Sequence, residues 1–233
     1  MTKNINLFIT FLFTILFCVS VEATDEKTGG SVEKTPSAPL NGGPRNWVVK
    51  KDVTPFLNLR KSPSTGSKIL DSYRPGAILY NIDGCMAGDD GLVWCSVQKL
   101  EGGTRGYVVL DYIKPASGPD GVIPTGFDDS PVRAGEKKYD AKGQIKCARR
   151  NGQPAEECSF GVARSAGGYA TVVINKPDGS ARAIFFSLGI PVGADKTKSD
   201  TGDFRYSRKN GLNIIFIGDE RYEIPDAVIL GKR

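Results

Sequence analysis

The chain has 233 residues, a formal net charge of +5 and no histidine. The lack of histidine excludes a Ser-His-Asp triad, a Cys-His pair and other histidine-dependent acid-base chemistry. Positive charge is spread along the chain without a basic stripe interleaved with stacking aromatic residues, so we expect no nucleic-acid partner. The length leaves room for two small domains rather than one large core.

The N-terminus has the pattern of a secretory signal peptide. Lys3 precedes an apolar run from Leu7 to Val19, and Val21-Glu22-Ala23 forms a small-x-small cleavage site. We expect residues 1–23 to be removed, leaving a periplasmic or secreted protein without stable membrane insertion. An uncleaved anchor is the alternative, although the run is shorter than the roughly 20 apolar residues that a membrane span requires.

Two stretches rich in Gly, Ser, Thr and Pro indicate linkers. Residues 24–44 contain almost no large apolar side chain and are predicted to be a flexible tether. Residues 116–137 have a similar composition and are predicted to join two domains. The predicted domains are therefore residues 45–115 and residues 138–233.

Four cysteines remain after removal of the signal peptide: Cys85, Cys95, Cys147 and Cys158. An even number in an exported chain indicates two disulfides, with three connectivities to choose from. We favour local pairing, because Cys85 and Cys95 flank a Gly-Asp-Asp-Gly turn and Cys147 and Cys158 close a similarly short loop. Zinc is the competing interpretation, but neither spacing is typical of common zinc sites. We expect no metal and no cofactor.

The first domain has short apolar runs that are rich in β-branched and aromatic residues and separated by turns. This pattern predicts strands, and the runs are Val48-Val49, Leu57–Leu59, Ala77–Ile82, Leu92–Val97 and Tyr107–Leu110. Leu57 and Leu59 alternate with Asn58 and Arg60, so the leucines are predicted to point inward. We expect a small barrel of about five or six strands.

This domain resembles the bacterial SH3-like (SH3b) family over about residues 47–115. The resemblance lies in five motifs, Leu57-Asn58-Leu59-Arg60, Ser62-Pro63, Gly76, Trp94-Cys95-Ser96-Val97 and Gly106-Tyr107-Val108. It implies a small β-barrel without chemistry of its own, of the kind that tethers exported proteins to cell-wall peptides or other ligands.

The candidate ligand-binding residues are Trp94, Tyr107, Tyr112, Asn58 and Arg60. Trp94 alternates with Cys95, so the indole and the disulfide are expected on opposite faces of one strand. If the disulfide is peripheral, Trp94 belongs to the core, which is the interpretation we favour. If Trp94 is exposed, it is the obvious stacking anchor of a ligand groove. The two tyrosines have hydroxyls that are suited to bonding a peptide.

The second domain is also predicted to consist of β-strands. Six runs predict strands, namely Phe160–Arg164, Tyr169–Asn175, Ala181–Ser187, Phe204–Arg208, Leu212–Ile217 and Arg221–Ile224. Hairpin turns are indicated at Asp178-Gly179 and Asn210-Gly211. We expect an antiparallel sandwich or barrel, so the fold class is all-β. The segment resembles a module of unknown function that accompanies SH3-like domains in Gram-negative exported proteins.

The leading hypothesis is an exported, non-enzymatic binding protein whose first domain recognises an envelope peptide or peptidoglycan. One alternative is a carboxylate-dependent cell-wall hydrolase, since Asp219, Glu220, Glu223 and Asp226 lie close together in sequence. Turn and strand-face carboxylates are a simpler explanation of that cluster. A third hypothesis is a protein-interaction or inhibitory module without wall affinity.

Overall fold

The computed structural model describes residues 43–150, 152–195 and 203–231. They form one compact unit that contains two antiparallel sheets. The predicted all-β class is confirmed. The predicted signal peptide and nearly all of the predicted tether, residues 1–42, lie outside the described residues.

The first sheet, which we call the N-terminal sheet, has seven strands in the order β3-β2-β6-β5-β4-β1-β7. The strands are β1 Asn46–Val49, β2 Leu57–Arg60, β3 Ile69–Tyr73, β4 Ile78–Ala87, β5 Val93–Lys99, β6 Gly106–Val109 and β7 Ile113–Pro115. A 3-10 turn, Leu110–Tyr112, links the last two strands. The sequence missed β3 because Asp71 and Ser72 interrupt its apolar pattern.

Alternation along the strands builds the core of this sheet. Leu57 and Leu59 are buried as predicted, while Asn58 and Arg60 between them are only half-buried. On β1, Trp47 and Val49 enter the same apolar cluster. Asn46 and Val48 point to the other side of that strand, where they meet the second sheet.

The predicted local pairing of the cysteines is confirmed at both sites. Cys85 and Cys95 face each other in the β4-β5 register and are joined by a disulfide with a Cα–Cα distance of 3.9 Å. Cys147 and Cys158 are joined across neighbouring strands of the second sheet, with a Cα–Cα distance of 5.9 Å. Each bridge closes a short loop and so reduces the conformational freedom of the unfolded chain.

The second sheet has eight strands in the order β12-β11-β10-β9-β8-β15-β14-β13, two more than the six predicted runs. Its edge strands β12 and β13 approach each other, so the sheet curls into a nearly closed barrel that we call the C-terminal barrel. The strands are β8 Ala141–Ala148, β9 Glu156–Ser165, β10 Tyr169–Asn175, β11 Ala181–Ser187, β12 Ile190–Ala194, β13 Phe204–Lys209, β14 Leu212–Ile217 and β15 Glu220–Pro225.

The interior of the C-terminal barrel is one apolar cluster to which the strands contribute alternate residues. Ile174, Ile184 and Ile215 are completely shielded from solvent. A short C-terminal helix, α2 Asp226–Leu230, adds Val228 and Ile229 to this cluster. The apolar runs in the sequence therefore mark strands whose inward side chains share a single core.

The segment that joins the two sheets, residues 116–137, is partly packed. It contains a short helix, α1 Ser130–Gly135, whose Ser130 hydroxyl lies 3.1 Å from the hydroxyl of Thr171 on β10. At the start of the segment, Ala116 packs with Tyr169 and Leu188 of the barrel. The glycines and prolines of this stretch therefore belong to a connection with fixed contacts.

A buried polar cluster connects the N-terminal sheet, the joining segment and the barrel. The Tyr169 hydroxyl donates a 2.5 Å hydrogen bond to Oδ1 of the fully buried Asn46. The Arg45 guanidinium lies 4.5 Å from the centre of the Tyr169 ring and donates hydrogen bonds to the carbonyls of Gly126 and Phe127. Burial raises the pKa of Tyr169 to about 12, so its hydroxyl stays protonated and remains a donor.

Tyr169→Phe is predicted to lower the free energy of unfolding by about 1–3 kcal/mol, because it removes the donor to a buried amide oxygen and keeps the ring that Arg45 covers. Urea unfolding measures this. Tyr112→Phe, which removes a hydroxyl from a half-exposed ring, is the control and is expected to change stability by less than about 0.5 kcal/mol. Equal effects of the two variants would contradict the structural role of the buried hydroxyl.

Candidate binding cleft

An open cleft of about 480 Å³ lies on the outer surface of the N-terminal sheet, and we call it the aromatic cleft. Its walls come from β2, from the segment before β2, and from side chains at the ends of β5 and β6. The lining residues are Asp52, Val53, Thr54, Phe56, Leu57, Asn58, Arg60, Thr65, Leu92, Trp94, Val109 and Tyr112. Four of the five predicted binding residues therefore lie in one depression.

Trp94 is buried, although the disulfide is not peripheral as the favoured sequence interpretation required. Cys95 belongs to the interior cluster of the sheet, so Trp94 lies on the opposite, outer face of β5. The indole is nevertheless only 1% exposed. It lies beneath the loop after β2 and the β4-β5 turn, and it contributes to the wall of the cleft instead of projecting from it.

Gly88 allows this burial of Trp94. A Cβ atom at Gly88 would lie 2.5 Å from the Pro63 carbonyl oxygen and 2.6 Å from Cδ1 of the indole. Real Cβ atoms do not approach other atoms so closely, so a residue without a side chain is required for the turn to cover the ring. The sequence pattern around Trp94 contains no sign of this contact, because it depends on two loops that are distant in sequence.

Asp90 fixes the two loops that bury Trp94. The Trp94 Nε1–H donates to Asp90 Oδ1 at 3.0 Å, and the backbone N–H of Thr65 donates to Oδ2 at 2.9 Å. The hydrogen bond from Trp94, with those from the backbone of Thr65 and Leu92, lowers the pKa of Asp90 to about 2. One exposed carboxylate thus ties the β4-β5 turn to the loop after β2 and orients the indole between them.

The outer face of β2 supplies the polar side chains of the cleft. Asn58 and Arg60 are half-buried, and Arg60 Nη1 donates to the Ser67 carbonyl at 2.7 Å. This hydrogen bond uses only one of the guanidinium donors. Asp52 is exposed on another part of the wall, so the cleft offers both signs of charge.

Phe56 and Tyr112 are the exposed aromatic residues of the cleft, at 46% and 50% exposure. Large apolar side chains that face water beside hydrogen-bonding groups are typical of binding sites. The sequence analysis missed Phe56. Its signal was nevertheless present, since Phe56 directly precedes β2 and continues the alternation of Asn58 and Arg60. Tyr107 is half-buried on β6 and does not line the cleft.

The four clustered carboxylates do not form a paired site. Glu220 and Glu223 are three residues apart on β15, so they lie on opposite faces of that strand. Glu220 accepts hydrogen bonds from Lys176, Arg182 and Tyr222 at 2.5–3.0 Å. Burial alone would raise its pKa, but the Lys176 and Tyr222 hydrogen bonds and the Arg182 charge lower it.

The other carboxylates also have structural surroundings. Glu223 pairs with Arg221 at 2.5 Å, and Asp226 pairs with Arg208 and accepts from Asn213 at 2.9 Å. Asp219 lies in the exposed turn between β14 and β15. None of these four groups lines the aromatic cleft or is paired with another carboxylate by the hydrogen bonds and ion pairs given above.

Within the residues that the structure describes, no three His, Cys, Asp or Glu side chains cluster closely enough to hold a metal ion. In the same part of the chain, neither helix is long and apolar enough to cross a membrane. Comparisons of the chain with protein-family models, with curated proteins and with solved structures found no match.

The acid titration of Asp90 is predicted to contribute to the pH dependence of stability. Its pKa is lower in the folded protein than the ordinary value of 3.8, so its contribution is present above pH 3.8 and is lost as the pH falls toward about 2. Asp90→Asn removes this contribution, so its unfolding free energy is expected to fall less over that range. Urea unfolding at several pH values tests the slope, and a wild-type slope in the variant would contradict the assignment.

Glu220→Gln is predicted to destabilise the barrel by about 2 kcal/mol without altering any wall-degrading activity, because it removes a carboxylate that pairs with both the buried Arg182 and Lys176. The expected loss of unfolding free energy is smaller than for a fully buried ion pair, because Glu220 retains contact with solvent. Glu223→Gln, on the opposite face, is the control, with an expected loss below about 1 kcal/mol. Zymography on purified cell walls would contradict this interpretation if a clearing activity disappeared in either variant.

Proposed function

We propose that this protein is an exported binding protein whose aromatic cleft recognises an envelope peptide or peptidoglycan. The observation that carries the proposal is the cleft itself, in which Phe56 and Tyr112 are exposed beside Asn58 and Arg60. These residues offer apolar contact area, amide hydrogen bonds and a cation within one depression. A short peptide with a free carboxylate has complementary groups for all three.

The location is supported by the cysteines. Both disulfides join cysteines of the predicted mature chain, and disulfides persist mainly in the periplasm and outside the cell. The predicted signal peptide and the SH3-like motifs of the N-terminal sheet also support export. We therefore propose that binding takes place in the periplasm or in the secreted fraction, where peptidoglycan is accessible.

The architecture of the cleft favours binding over catalysis. Its ionisable side chains include Asp52 and Arg60, which carry opposite charges, and the lining has no second carboxylate to act with Asp52 as an acid-base pair. Trp94 and Asp90 make the wall rigid, so the loss of conformational freedom on binding is small. A preformed surface of this kind suits recognition of an exposed peptide.

Tyr112→Ala is predicted to weaken binding of the mature protein, residues 24–233, to purified peptidoglycan by about tenfold, because it removes an exposed aromatic contact of the cleft. Cosedimentation over a range of protein concentrations measures the affinity. Phe127→Ala is the matched control, since Phe127 is an exposed aromatic residue outside the cleft, and it is expected to bind like the wild type.

Repeating the measurement at low and moderate salt separates recognition from simple charge attraction, which salt screens. Binding that survives moderate salt and depends on Tyr112 supports the proposal. Binding that is lost with salt and is indifferent to Tyr112 would show charge attraction alone. No binding at either salt concentration would overturn wall recognition and leave the protein-partner hypothesis.

A further inference from the structure

A second cleft, of about 580 Å³, lies on the C-terminal barrel where β8, β9 and β10 run side by side. We call it the polar platform. It is lined by Lys137, Tyr139, Lys142, Gly143, Gln144, Ser159, Phe160, Gly161 and Asn175. None of the motifs discussed above for the N-terminal sheet contributes to it.

Strand register places the polar side chains of the platform in a row. Gln144 pairs with Ser159, and Ser159 pairs with Asn175 on the next strand. All three are exposed, and neighbouring strands are about 4.8 Å apart. The row therefore presents two amides and a hydroxyl, each able to donate and to accept hydrogen bonds, across about 10 Å of the barrel surface.

The adjacent row has a gap that an aromatic ring fills. Gly161 lies between Lys142 and Val173 in the register, and the Tyr139 ring covers it. A Cβ atom at Gly161 would lie 2.4 Å from Cδ2 of that ring, so only glycine lets the tyrosine lie so close to the sheet. The ring forms a raised wall beside the polar row.

Two ammonium groups at this cleft have no carboxylate partner among the described residues. Lys142 Nζ lies 5.7 Å from the centre of the Tyr139 ring, and neither Lys137 nor Lys142 forms an ion pair there. Their neighbours differ, since Lys138 pairs with Glu136 at 2.8 Å and Lys146 pairs with Glu157 at 2.5 Å. The lining contains no acidic residue, so the cleft carries uncompensated positive charge.

The backbone of Lys137 adds an independent observation. Lys137 follows helix α1 with a φ of 58°, in the left-handed region where glycine ordinarily ends a helix. A lysine at such a position is conformationally less favourable than glycine. Its side chain lines the polar platform, so a residue that is unfavourable for the backbone supplies one of the two cations without an ion pair in the described part of the chain.

From this arrangement we infer that the polar platform binds a carboxylated saccharide, such as a uronic-acid segment of an acidic glycan. Sugar hydroxyls match the row of amide and hydroxyl side chains, and the carboxylate matches Lys137 and Lys142. The Tyr139 ring offers an apolar edge for the face of a sugar ring. This site is separate in residues from the aromatic cleft, and its occupancy does not depend on the function proposed for that cleft.

The test is calorimetric titration of the mature protein with a trimer of galacturonic acid, alongside a neutral trimer of galactose and inorganic phosphate. The acidic trimer is expected to bind, and Lys142→Gln is expected to weaken that binding by about tenfold because a charge-assisted hydrogen bond is lost. Lys146→Gln is the matched control on the outward side of the same strand, and it is expected to bind like the wild type.

Lys137→Gly provides a variant that does not threaten folding, because glycine suits the positive φ. This variant is expected to bind the acidic trimer more weakly by a similar factor, while the melting temperature of the protein stays the same or rises. Equal affinity for the neutral trimer would overturn the role of the two lysines. Phosphate binding as tight as that of the acidic trimer would overturn the role of the sugar, and no binding of the acidic trimer would overturn the site.

Discussion

The packing of the buried Arg45 guanidinium is the interaction on which the arrangement of the two sheets depends. It lies over the Tyr169 ring of the C-terminal barrel and donates to two carbonyls of the joining segment. A guanidinium has five donors in a fixed plane, so one side chain is able to hold a ring and several backbone groups at once. Asp128 lies 3.9 Å away and compensates part of its charge. Because Arg45 directly precedes β1, this contact connects the first strand of one sheet to the other sheet.

Fixed contacts hold the two sheets together. The hydrogen bond from Tyr169 to Asn46 and the packing of Ala116 with Leu188 leave little freedom between the N-terminal sheet and the barrel. The aromatic cleft and the polar platform are therefore held on one compact body. If both sites are occupied, one compact body holds a wall peptide and an acidic glycan. Binding at one site then raises the effective concentration of ligand at the other site only if both ligands belong to the same polymer.

In each sheet, one carboxylate accepts hydrogen bonds from neighbouring polar groups. In the N-terminal sheet, Asp90 satisfies the indole N–H of Trp94 at the surface. In the barrel, Glu220 satisfies Lys176, Arg182 and Tyr222 within a few ångströms. Removing the carboxylate takes a hydrogen-bond acceptor from each donor at once, and that cost exceeds the net value of a single contact. The carboxylates that looked most like catalytic residues in the sequence are thus explained by the polar groups that they satisfy.

Local chemistry alone determined the all-β class, the inward direction of Leu57 and Leu59, the hairpin pairing of Cys85 with Cys95 and most strands of the barrel. Each of these depends on residues that are near one another in the chain, where period-two alternation and turn residues are strong signals. The sequence also identified four residues of the aromatic cleft, of which Asn58 and Arg60 alternate with buried leucines on β2.

Only the tertiary structure decided the rest. The burial of Trp94 depends on Gly88 and Pro63, and the polar platform depends on the register that places Gln144, Ser159 and Asn175 in one row. The packing of Arg45 against Tyr169 joins residues more than 120 positions apart. Such contacts arise from strand order and from loops that meet after folding, and no short window of sequence contains both partners.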